Sequence, residues 1–350
     1  MQLTHESIFA SSIRSFFVSF SAIIGFFVAF IPIVIILISL AFSSGQDLNG
    51  GPYTILPDAK GNRALIPKAP VILTIDINGL IGAGEMTTNK VRDLLMDSRE
   101  GPFEGGRVKG ILLHMNTGGG TVFDSYGIYR VINEYKEQYS VPVYVFVDGI
   151  CASGGLYIAS AANKIYASET SLVGSVGVLM QLFNVSDALN TIGVKTKAIT
   201  MGKDKDLMSP LRPWRPEEEA SLQKIAQYYY TQFVDIFTAS RQGLMNKDLL
   251  KNEYGAQVFT PPDALSRGYI DGANRTLRGT LEELVEASGI GKDEEYQVVR
   301  LETKKWFTDA FAMESSLLTG KLTHEVSFGK SFGTGFEPEA MNSFLYLYSP

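Results

Sequence analysis

Residues 141–155 read VPVYVFVDGICASGG. The first ten, Val141–Ile150, are almost wholly apolar and rich in β-branched and aromatic side chains. A run of that composition, punctuated by glycine, predicts a strand buried on both faces. It runs into Ala152-Ser153-Gly154-Gly155. A serine at a strand end, followed by glycines, predicts a strand-to-helix turn with the hydroxyl beside the first N–H groups of a helix. Such N–H groups stabilise a developing oxyanion. The pattern is not Gly-x-Ser-x-Gly, but the physics of the nucleophile elbow is the same. Taken alone the signal is weak, because glycine-rich turns after parallel strands also bind phosphate or simply turn.

Before this strand, Thr121–Tyr139 predicts a helix, with Val122, Tyr126, Tyr129 and Ile132 spaced by three or four. Val108–Asn116 predicts another buried strand and leads into a second glycine cluster, Asn116-Thr117-Gly118-Gly119-Gly120. Strand, helix, strand implies a parallel pair with a right-handed crossover. Both glycine clusters then lie on one edge of one sheet, which points to acyl-group chemistry. Val71–Ile81 and the short Lys164–Ala167 are further strands. Pro216–Gln242 predicts the best helix of the chain, with Pro216 and Glu217–Glu219 suited to its first turn. Its face of Leu222, Ile225, Ala226, Tyr229, Phe233, Ile236 and Phe237 suits core packing or a subunit interface. Leu281–Ala287 reads as a short helix and Tyr296–Glu302 as an edge strand. The class is α/β.

The net charge of −6 over 350 residues, without a long basic run, argues against a nucleic-acid partner. A single cysteine, Cys151, rules out an internal disulfide and reads as a small buried apolar residue. No cluster has zinc-ligand spacing, and no cofactor is implied. Phe16–Phe42 is 27 residues without a charge. A membrane-spanning helix needs ~20. The expectation is a stub over 1–15, an uncleaved transmembrane anchor in the lipid bilayer over 16–43, kinked at Pro32, and a linker over 44–69. Ala41-Phe42-Ser43 also resembles a cleavage site. Arg14 precedes the span and the first cation after it is Lys60, which favours a cytoplasmic N-terminus and an exported body. The last stretch, about Ser327–Pro350, reads as partly disordered until bound. Its alternating Phe344–Tyr348 suits docking in a substrate groove, with packing elsewhere or disorder as the alternatives.

Histidine is scarce. His5 falls on the far side of the membrane, His114 sits in an apolar strand, and His324 lies in a polar segment. A Ser–His–Asp triad would have to use one of the last two, so a lysine base is worth seeking. Met201–Asp206 offers Lys203 and Lys205. A lysine takes a proton only when neutral. A catalytic lysine must titrate near ~7–8 rather than ~10.4, which needs roughly 3–4 kcal/mol of destabilisation of the ammonium. Asp204 and Asp206 oppose this unless they point away or are absorbed by other cations. On composition alone the segment reads as a solvated loop.

In order and spacing, Val108–Gly120, Val147–Tyr157, Gly174-Ser175-Val176-Gly177-Val178 and Gly202–Pro210 resemble the signal peptide peptidase A (protease IV) family, with its SohB-like relatives next. The resemblance covers about residues 70–275, the expected peptidase domain, and leaves 276–350 as a C-terminal extension. It implies a ClpP/crotonase-like fold of stacked ββα units and a serine endopeptidase with a Ser/Lys dyad. Ser153 would be the nucleophile. Lys205, followed by Asp206 and then Ser209-Pro210, would be the base, and Ser175 would hold the lysine. Gly154 would be one oxyanion donor and Gly119 or Gly120 the other. Gly118 stands where the family carries proline. The resemblance further implies peptide substrates such as signal-peptide remnants, and a homo-oligomeric ring, an octamer, that shares sites between neighbours. The competing readings are a crotonase-like acyl-CoA enzyme and a catalytically silent membrane scaffold.

Overall fold

The structure is a computed structural model and describes residues 14–22, 24–26, 28, 30, 53–84, 86–301 and 345–347. The chain divides into residues 1–51 and residues 52–350. In the first part the described residues are helical, and Phe16, Phe17, Val18, Phe20, Ile24, Phe26, Val28 and Phe30 are exposed. Among the described residues no helix is long and apolar enough to cross a membrane. Much of the anchor expected over 16–43, with His5 and most of the stub, lies outside them.

The second part is built on one mixed sheet. β1 (Tyr53–Leu56), β2 (Val71–Ile81), β3 (Val108–Thr121), β4 (Val143–Ala152), β5 (Lys164–Ala167), β6 (Leu172–Gly174), β7 (Val258–Phe259), β8 (Gln297–Leu301) and β9 (Leu345–Leu347) supply its strands. The order is β1-β8-β2-β3-β4-β6-β7, with β5 on β4 and β9 on β3. Neighbours from β8 through β2, β3 and β4 to β6 run parallel; β1, β7 and β9 run antiparallel to their partners. The helices of six residues or more are α1 (Thr88–Asp97), α2 (Val122–Tyr139), α3 (Gly154–Ala159), α4 (Ser186–Thr191), α5 (Ala220–Ser240), α6 (Pro261–Ser266) and α7 (Leu277–Ala287).

The central strands are apolar at nearly every position because both sheet faces are covered. Leu73, Ile75, Ile77, Ile111, Leu113, Met115, Val143, Val145 and Val147 form one core with residues of α1, α2, α3 and the end of α5. Ile72, Leu112, Phe146 and Val298 form a smaller core with Leu281, Leu284 and Val285 of α7. Each such fully buried side chain is worth roughly 1.5–3 kcal/mol. α2 starts where the Thr121 hydroxyl accepts from the Asp124 N–H at 3.2 Å, and it ends at Ser140 in the left-handed region. Asp124 also accepts from the Thr88 N–H and hydroxyl, which ties α1 to α2.

The expected strands and helices are present, with three differences. Tyr296–Glu302 is not an edge: β8 lies between β2 and β1, and β1 falls inside the stretch expected as a linker. α5 begins at Ala220 rather than Pro216, because Glu218 turns inward to meet two arginines. Only Phe233, Val234 and Phe237 of α5 are buried; Ile225 and Tyr228, nearer its start, are exposed.

Candidate active site

The site grows from the C-terminal ends of β3, β4 and β6, where parallel strands leave a crevice. β4 pairs with β6 so that Ala152 lies opposite Gly174. This places Ser153 beside Ser175, and the Ser153 N–H donates to the Gly174 carbonyl at 3.0 Å. The Ser175 N–H donates to the Gln257 carbonyl at 2.7 Å, just before β7. Both serines are buried, and both have left-handed backbones, with φ of 52° and 59°. At Ser153 the full pair is φ 52°, ψ −115°, a region that costs a non-glycine residue about 1–3 kcal/mol. The strain belongs to the strand-to-helix turn, since α3 begins at the next residue. Ser153 Oγ is enclosed and has no hydrogen-bond partner among the described residues.

The two glycine clusters meet here. A Cβ on Gly155 would lie 2.6 Å from Thr117 Cγ2, so the turn after Ser153 can press on the β3 loop only because that residue is glycine. Gly174, at φ 146°, similarly lies under the backbone of Gln257 and Val258. Gly154 opens α3, where the helix N–H groups gather. Thr117 organises the other loop. Its hydroxyl donates to the Gly79 carbonyl at 2.5 Å and accepts from the Gly119 N–H at 3.0 Å. Gly120 packs against the Ile81 backbone. Gly119, Gly120 and Thr121 also pair with β9, antiparallel, opposite Leu347, Tyr346 and Leu345.

Ser153, Ser175, Gly154, Gly119 and Gly120 therefore gather on one sheet edge. Lys205 does not join them within the chain. It is exposed, as is Lys203, on an arm over 178–217 that is mostly exposed, and it makes no bond to Ser153. That arm and the start of α5 also expose Phe183, Ile192, Ile199, Met201, Trp214, Ile225 and Tyr228.

His114 is occupied elsewhere. Its Nδ1 lies 3.2 Å from Asp76 and its Nε2 3.6 Å from Asp148, and its ring stacks on Phe146. The Asp76 hydrogen bond pushes the imidazole up from its ordinary value, against desolvation, which lowers it. A raised folded value means that this stabilisation is complete below the unfolded value of ~6.5 and is lost as pH rises through the folded one. The melting-temperature gap between wild type and His114→Gln should therefore be widest below about pH 6.5 and shrink as pH rises beyond it; a gap independent of pH would show that the ring only packs. His324 lies outside the described residues. Cys151 is fully buried and burial pushes its thiol up to about 12, so it is inert as a nucleophile.

Sequence reasoning missed Thr117, Gln257 and an ion cluster of Asp206, Arg212, Arg215 and Glu218. A signal for the last was present: two acids flank two arginines within thirteen residues, yet Glu218 read as part of a helix start.

Residues 135–289 match the model of peptidase family S49. A putative protease of Synechocystis sp. is 32% identical over 200 residues, which is 57% of this chain and 68% of that protein. A putative signal peptide peptidase SppA of Enterococcus faecium is 30% identical over 164 residues, or 47% of each. Among solved structures, a membrane-bound stomatin-specific protease is similar at 18% identity and a TM-score of 0.42, over 72% of this chain and all of that one. The chain spans about half to two thirds of the length of these curated relatives. With three of the four motifs gathered on one sheet edge, and with these matches, the chain belongs to peptidase family S49, the signal peptide peptidase A (protease IV) family.

Proposed function

We propose that the chain is a membrane-anchored serine endopeptidase with a Ser153–Lys205 dyad. The observation that carries the reading is the Ser153 hydroxyl: buried, without a hydrogen-bond partner among the described residues, and held in a strained turn at a helix N-terminus. Ser153 Oγ attacks the scissile carbonyl carbon while the neutral Lys205 amine takes its proton. The Gly154 N–H holds the oxyanion together with that of Gly120, or with that of Gly119 once it leaves the Thr117 hydroxyl. The lysine then protonates the leaving amine, and water releases the acyl group from Ser153 by the reverse proton path. Ser175 orients the lysine.

The base reaches the nucleophile from a neighbouring copy in a ClpP/crotonase-like ring of eight subunits. Support for this comes from Lys205 lying exposed on an arm rich in uncovered apolar side chains. Residues 16–43 anchor each subunit in the cytoplasmic membrane, and the 70–275 domain works on its outer side on extended peptides such as signal-peptide remnants. Cleavage of casein and of a signal peptide by the detergent-solubilised full chain tests the reading, with Ser153→Ala and Lys205→Ala assayed singly; activity surviving either change removes the dyad.

β9 pairs with Gly119–Thr121, the line along which an extended substrate would add. Deleting residues 340–350 should therefore raise turnover of a short peptide several-fold, with the gain seen mainly in KM. Unchanged turnover would mean that the tail strand does not compete with substrate.

A further inference from the structure

The arm that carries Lys205 has almost no apolar core of its own, yet it contains a glutamate side chain that is 1% exposed. Glu218 accepts from the Met208 N–H at 3.0 Å, the Arg215 N–H at 2.8 Å, Arg212 Nη1 at 3.0 Å and Arg215 Nη2 at 3.0 Å, and it pairs closely with Arg212 Nη2. The same two arginines hold Asp206. Arg212 Nε donates to its Oδ2 at 2.7 Å, Arg212 Nη2 to its carbonyl at 2.7 Å, and Arg215 Nη2 to its Oδ1 at 3.0 Å. Two carboxylates and two guanidiniums balance in charge. Arg212 chiefly holds both acids below the usual carboxylate range.

The cluster therefore occupies both carboxylate oxygens of Asp206, one of the two acids that flank Lys205 in sequence. The turn itself is fixed as well, since the Leu207 N–H donates to the Asp204 carbonyl and the Ser209 N–H to that of Asp206. The other charges close in sequence are Lys203 and Asp204, both exposed and outside the ion pairs found among the described residues. We infer that Arg212 is a positioning residue for the lysine: with Arg215 and Glu218 it turns the Asp206 carboxylate away from Lys205 and clamps the turn that presents it. This rests on Lys205 being the base. An ammonium beside a free carboxylate holds its proton more tightly, and a base that remains protonated does no work.

The test is the pH profile of kcat/KM for the full chain in detergent. Arg212→Ala should lower kcat at pH 7 by about 10- to 100-fold, leave KM within about twofold, and move the acid limb to higher pH. Adding Asp206→Asn to Arg212→Ala should return the limb toward wild type, because the released carboxylate is then gone. An unmoved limb in Arg212→Ala, or one that Asp206→Asn does not bring back, overturns the inference and leaves the arginine a scaffold. Should Arg212→Ala fail to assemble by size exclusion, Arg215→Ala, which frees only Oδ1 of Asp206, decides. It should move the limb to higher pH by a smaller step, and an unmoved limb is again fatal. Lys205→Ala separates the two levels. If that variant stays active, the base assignment itself has failed; if it is inactive and the limbs stay put, only the role of Arg212 has failed.

Discussion

Ser153→Ala should abolish peptide cleavage while leaving the fold intact. Removing the nucleophile of a hydrolase that works as a unit typically costs on the order of ten-thousand-fold or more in kcat/KM. That is at least ~5 kcal/mol of transition-state stabilisation. The protein should survive the change because the hydroxyl makes no hydrogen bond among the described residues, so its loss orphans no partner there. The turn is held instead through the backbone, by the Ser153 N–H on the Gly174 carbonyl and by the β4–β6 pairing. The melting temperature should stay within a few degrees of wild type, and a serine-directed probe should label wild type but not the variant. Residual cleavage of more than about 1% of wild type would point to another nucleophile.

The second large effect concerns the base. Lys205→Ala alone should be as inactive as Ser153→Ala. Mixing the two dead proteins under conditions that exchange subunits should restore cleavage. If a site takes its serine from one copy and its lysine from the next, half of each kind makes about a quarter of the junctions intact. Recovery of about a quarter of wild-type activity is expected, appearing on the timescale of subunit exchange and lost on dilution. The exposed position of Lys205, against an enclosed Ser153, motivates this. A mixture that stays dead after proven exchange would place both residues in one copy.

Much of this architecture can be read from the chain because parallel strands covered on both faces are written as continuous apolar runs. Val71–Ile81 and Lys164–Ala167 have the limits that their composition implies. The turn at Ser153 is legible because a strand ending in Ala-Ser-Gly-Gly can do little else, and α3 follows at once. Less local features are hidden. β1 is four residues long and acquires its role only by covering β8, some 240 residues away. The start of α5 depends on whether Glu218 faces solvent or arginine, and helix propensity cannot decide between a first-turn acid and a buried ion pair. Ser175 carries no chemical signal of its own. It becomes interesting only when β6 sets Gly174 opposite Ala152. The lysine shows the same limit from the other side, since a motif can select Lys205 over Lys203 while the monomer leaves both in water.

The backbone at Ser153 has a consequence for how such a chain can drift. Its φ of 52° and ψ of −115° are torsions that glycine adopts without penalty. At this one position, selection for stability alone would replace the serine with glycine and gain about 1 kcal/mol or more. Selection for catalysis would forbid it. Alanine gains nothing in exchange, because its Cβ meets the same clash. The nucleophile is thus a place where a copy released from the need to cut peptides has a downhill route to silence, one residue long and open without any repacking of the core.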